Sequence, residues 1–142
     1  MSERQRLRSL GRLVDLQSRE VDRLSAAVAE KRATRERFLR NVTTLEKLAH
    51  SSGPVGGSPV LALNRAGYKQ AMLRMAATHR LDLSLHESEL ALSQRELANA
   101  ARRHEALDQV LQREHSNVRH VTKVKEQKYQ DELASQVWWR NK

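Results

Sequence analysis

From Leu10 onward the sequence alternates intervals of four and three: Leu10, Val14, Gln17, Val21, Leu24, Val28, Lys31, Arg35, Phe38, Val42, Leu45 and Ala49. Nine of those twelve positions are apolar, with Val favoured at the first heptad core position and Leu or Phe at the second. A 3.5-residue period held over five heptads puts one apolar stripe along one side of a helix. That stripe is stable in water only against another helix. A second seam follows later: Leu83, His86, Leu90, Ser93, Leu97, Ala100, His104, Leu107, Leu111, Glu114, Val118 and Val121, eight of the twelve apolar. Past Val121 it dissolves, because its continuation is Lys125, Lys128 and Glu132.

Between the seams lies SSGPVGGSP at 51–59, where Gly53, Pro54, Gly56, Gly57 and Pro59 forbid a continuous helix. Gly53 suits the left-handed residue that closes a helix, and Pro54 blocks its resumption. Ser58 before Pro59 reads as an N-cap and first helical residue; the alternative start is Asn64, since Gly67 weakens a helix running through it. At the other end, Ser2 with Gln5 three residues later is compatible with a capping box. Gly11 lies off the seam and costs roughly 1 kcal/mol inside a helix.

These signals predict an all-α chain: two long helices in an antiparallel coiled-coil hairpin, one domain over 1–142. Helix 1 covers about 2–50, the loop 51–59 and helix 2 about 60–139. The helices are roughly 70 Å and 110 Å long at 1.5 Å per residue. A short loop makes them antiparallel neighbours. Folding about residue 56 lets helix 1 cover helix 2 only to about 105–112, so the second helix overhangs at the C-terminus. The overhang carries Val118, Val121, Val124, Tyr129, Leu133, Val137, Trp138 and Trp139, with Lys123, Lys125 and Lys128 beside them. An unpaired apolar stripe of this kind is a docking surface. The expected state is an elongated monomer whose bare C-terminal helix promotes weak self-association.

Composition fits a rod and narrows the partners. There is one Phe, two Tyr and two Trp to fill a core, and no cysteine for disulfides or thiolate metal sites. No stretch approaches the ~20 apolar residues of a membrane span, and the basic N-terminus lacks a signal peptide's apolar run. The cytosol is the expected compartment. The net charge of +9 points to acidic partners, but 17 acidic residues are interspersed among 26 basic ones. That mixture belongs to a solvated helix surface more than to a nucleic-acid arm.

No catalytic constellation is visible, and no enzyme activity, cofactor, metal or small-molecule substrate is expected. The glycines of 51–59 lack the Lys-Ser/Thr ending of a phosphate loop. No two of the six histidines are three or four residues apart, the spacing a helical metal clamp needs. His86 and His104 instead read as polar layers in the seam. Lys31 and Arg35 interrupt the first seam; their stems cover it while their charges reach acidic neighbours, Asp82, Glu87 and Glu89 being placed nearby by antiparallel folding. Arg8, Arg12, Arg19, Arg23, Arg37 and Arg40 fall at outward positions, most of them solubilising. Around Tyr68, Met72 and Met75 the choice lies between packing against Phe38 or Val42 and contact with a partner; Met72 is assigned to the core.

Two segments carry a family resemblance: NRAGYKQAMLRM at 64–75 and KVKEQKYQDELASQVWW at 123–139. With the architecture and length, they resemble the FliJ family of flagellar type III export proteins. The resemblance implies a stalk-like antiparallel coiled coil similar to a rotary ATPase central stalk, serving flagellum biogenesis, motility and protein export. Its implied partners are the flagellar export ATPase ring, the export-gate cytoplasmic domain and the export chaperones it helps recycle. Its implied place is cytoplasmic and peripheral at the inner face of the cytoplasmic membrane, associated through the export apparatus. Docking to the ATPase is expected through Val121, Val124, Lys125, Lys128, Tyr129, Leu133 and Val137. Gate contact carries over to Tyr68, Ala71, Met75, Thr78 and Asp82. The family tends to have a larger aromatic in place of Ala71 and a basic or polar residue in place of Asp82. The rival readings are a basic nucleic-acid-associated coiled coil, an injectisome stalk homologue and a generic coiled-coil tether.

Overall fold

The computed structural model describes residues 2–51 and 57–142. Two helices, α1 (Glu3–His50) and α2 (Pro59–Arg140), pack as an antiparallel helical hairpin. The reading of Gly53, Pro54 and Gly56 as helix-stopping residues lies outside the described residues. Both helix starts are capped by local chemistry. The Ser2 backbone N–H donates to Gln5 Oε1 at 2.9 Å and the Gln5 N–H to Ser2 Oγ at 3.3 Å, a reciprocal capping box. At α2, the Leu61 N–H donates to Ser58 Oγ at 3.4 Å, and Pro59 occupies the first helical position, so the helix begins there rather than at Asn64.

The chain divides into two compact units, Asp22–Ala98 and Met1–Val21 with Asn99–Lys142. In the first, cross-helix contacts fix the antiparallel sense. Lys31 meets Ser93, Arg35 meets Glu87, Phe38 stacks on His86, and Glu46 pairs with Arg80, so partner numbers fall as α1 advances. Leu24, Val28, Val42 and Ala49 of α1 are buried with Ala76, Leu90 and Ser93 of α2, while Phe38, Leu45, Leu83 and Leu97 are half-buried. The buried layer of α2 begins earlier than the second seam: half-buried Met72 and His79 flank buried Ala76, continuing the same four-three spacing back from Leu83. The most enclosed positions carry small side chains, because a second helix shields only one side of the first.

In the other unit, Gln17 Nε2 donates to the Ala100 carbonyl at 3.3 Å. Leu10, Val14 and Val21 are half-buried, as are His104, Leu107 and Leu111. Glu114 and Val118 are half-buried too, so partial burial runs past the expected limit of 105–112. From Arg119 to Lys142 every residue is exposed.

The polar seam positions resolve differently from expectation. Arg35 Nε does meet Glu87 Oε1, at 3.2 Å. Lys31, however, donates from Nζ to the Ser93 hydroxyl at 2.6 Å, and Glu89 lies 3.8 Å from His86 Nδ1 instead. An ammonium on a flexible stem takes the nearest acceptor, which here is a seam hydroxyl.

Candidate functional site

The bare end of α2 holds the first candidate surface. Val121, Lys125, Tyr129, Leu133 and Val137 are each four residues apart and form one continuous ridge on the helix. Val124 and Lys128 begin the neighbouring ridge. All seven are exposed, Tyr129 at 64%. Beyond them the Trp138 and Trp139 rings meet edge to face, centroids 5.1 Å apart, and Lys142 Nζ sits 3.9 Å from the Trp138 centroid. The result is a narrow helical end with a largely apolar ridge that holds Lys125, Lys128 on the ridge beside it, and a cation-capped aromatic pair past it.

Sequence reasoning missed a polar groove of about 260 Å³ on the same helix, lined by Ser116, Arg119, His120 and Lys123. Arg119 Nη2 donates to Ser116 Oγ at 3.5 Å. The spacing i, i+3, i+4, i+7 was the available signal, since it stacks all four on one face.

A second candidate surface lies early in α2. Tyr68, Ala71, Met75 and Thr78 are exposed, and Asp82 is half-buried. Their three-four spacing makes a stripe beside the seam residues Met72, Ala76 and His79. Thr78 Oγ1 is satisfied by the Arg74 carbonyl at 3.2 Å, which leaves its methyl free for contact. Met75 also lines a groove of about 200 Å³ with His79 and with Asn41, Thr44 and Leu45 of α1. Phe38 packs against both His79 and His86, at 5.8 and 4.6 Å between centroids, and His79 Nδ1 is buried without a hydrogen-bond partner. Among the described residues, no group of three His, Asp or Glu side chains is placed to hold a metal. No described helix is long and apolar enough to cross a membrane.

The model of the flagellar FliJ protein family matches residues 5–142, nearly the whole chain and both candidate surfaces. The chain belongs to the FliJ family. No curated protein and no solved structure gives a significant match. For this FliJ-family chain, membership and an all-α hairpin agree with a non-enzymatic part in the flagellar export system.

Proposed function

We propose that this FliJ-family chain is the stalk-like coiled coil of the flagellar type III export apparatus. It docks into the export ATPase ring by the end of α2, contacts the cytoplasmic domain of the export gate through the stripe from Tyr68 to Asp82, and helps recycle export chaperones. It works peripherally at the inner face of the cytoplasmic membrane, held there by the apparatus. The observation that supports this reading most is the unbroken exposure from Arg119 to Lys142. An exposed helical end running from Arg119 to Arg140, carrying an apolar ridge and nothing packed on it, fits a ring better than it fits a self-contained fold. The ridge supplies contact area, and Lys125 and Lys128 supply charge that holds a rotor without locking it.

The test compares ATPase binding by the full chain, by a chain ending before Val121, and by the Tyr129→Ala, Leu133→Ala double variant, with helicity checked for each. Loss of binding in both variants is expected. Equal binding by all three would move the docking end to the first turns of α1.

The groove at Ser116, Arg119, His120 and Lys123 is the feature that favours a nucleic-acid reading. A salt titration separates the two. Binding to random DNA falls steeply with salt as counterions are released, whereas docking of an apolar ridge does not.

A further inference from the structure

The groove lined by Ser116, Arg119, His120 and Lys123 belongs to neither docking surface. Ser116 and Lys125 are two and a half turns apart, so the groove opens on the opposite side of α2 from the ridge that holds Lys125. Its four side chains surround one space of about 260 Å³, and each brings a donor: a hydroxyl, a guanidinium, an imidazole N–H and an ammonium. Arg119 Nη2 donates to Ser116 Oγ at 3.5 Å, which steadies the guanidinium along the groove and leaves the Ser116 O–H to point outward. No carboxylate lines it. Glu114 is half-buried on the seam. Among the described residues, Arg119, Lys123 and Glu126 make no ion pair.

A groove that offers only donors, two of them permanent cations, is complementary to an anion rich in acceptor oxygens. Length selects further. From Ser116 to Lys123 the donors extend over roughly 10 Å of helix, more than one tetrahedral oxyanion spans, so only a chain of linked phosphates engages all four. The donors are also bounded. The same face carries Gln109 and Gln112 before them and Gln127 and Gln130 after them. A nucleic-acid strand or an anionic membrane draws on cations over a much longer surface, and glutamines supply none. Apart from His120 the lining holds no ring, and it holds no apolar side chain, so nothing in it grips a base or an acyl chain.

We propose that this groove is a binding site for a short phosphate chain, a diphosphate or triphosphate. Arg119 and Lys123, four residues apart on one face, take the outer oxygens, while Ser116 and His120 donate to the chain between them. The site is open to water, so added salt screens it. It works independently of the C-terminal ridge, because the two surfaces face away from each other.

NMR titration of the full chain with pyrophosphate and with tripolyphosphate, at low ionic strength, tests the site. Saturating shifts confined to the turns around Ser116 to Lys123 are expected, with a Kd below about 1 mM. Arg119→Gln with Lys123→Gln, helicity unchanged, is expected to raise that Kd about tenfold or more, as loss of charge-assisted hydrogen bonds does. Arg103→Gln removes one exposed cation on the far side of the same helix and is expected to leave the Kd unchanged. ATP is expected to bind no tighter than tripolyphosphate, since the groove has no seat for a base. Absence of saturation up to about 10 mM overturns the proposal. So does an equal loss in Arg103→Gln, which would reduce the effect to net charge. Tighter binding of ATP than of tripolyphosphate overturns it too, as does binding of random duplex DNA or phosphatidylglycerol vesicles without binding of either phosphate chain.

Discussion

Lys31 of α1 donates from Nζ to the buried hydroxyl of Ser93 on α2, 2.6 Å away, so a cation and an alcohol occupy a layer that heptad logic reserves for apolar side chains. Neither is solvated as it would be in the unfolded chain, and each answers the other's need. Ser93→Ala alone is expected to destabilise the hairpin by about 1 kcal/mol, because the half-buried ammonium loses its acceptor. Lys31→Met with Ser93→Ala is expected to recover that loss or better, since two apolar groups of similar volume owe no desolvation. A double-mutant cycle in thermal unfolding measures it; strict additivity of the two substitutions would show that the contact carries no energy.

Val21→Asp and Leu24→Asp should destabilise the chain by several kcal/mol or unfold α1 locally, because each forces a carboxylate toward the seam. Leu24 is buried and Val21 half-buried, whereas Arg19 is exposed. Arg19→Glu should therefore shift the melting midpoint little. Equal shifts for the three variants would mean the heptad register is misassigned.

Gly67→Ala should stabilise α2. A methyl group there meets no atom within 4 Å, and no glycine among the described residues has a positive φ. The expected gain is about 0.5–1 kcal/mol from the smaller entropy loss on helix formation. Gly11→Ala should behave alike for the same reason. A fall in midpoint for Gly67→Ala would indicate close approach by another molecule at that position.

Ending the chain before Val121 should leave the stability of the hairpin within about 0.5 kcal/mol of the full chain, as expected for removal of surface groups, and so move its melting midpoint little. Every residue removed is exposed. A large fall would show that the end of α2 supports the fold rather than serving a partner.

Both tryptophans of the chain lie in the last turn of α2, so intrinsic fluorescence reports on that end alone. The free protein should emit at the red wavelengths of water-exposed indole. Adding the export ATPase should shift emission to the blue if the ridge next to Trp138 enters a ring. An unchanged spectrum together with undiminished binding would place docking elsewhere.

What the amino-acid order determined by itself is which face of each helix turns inward and where α1 begins, while the start of α2 stood open between Pro59 and Asn64 until the Ser58 cap decided it. The four-three spacing from Leu10 to Ala49 names twelve positions, and none of them is exposed. Ser2 with Gln5, and Ser58 before Pro59, announce the caps through side chains that reach only their own backbone. Such signals are local, since they depend on helical geometry over a turn or two. The axial offset of one helix against the other is not local. A seam repeats every heptad, so the pattern tolerates several offsets, and only packing of the two helices selected the one that sets Lys31 beside Ser93 and not beside a carboxylate. That offset decided how Arg80 and Glu87 found partners on α1, and that Val118 is still half-buried while Arg119 is exposed. It also left Leu81, Leu85 and Leu92 facing water, because a two-helix contact covers one side of α2 and has no third element for the other.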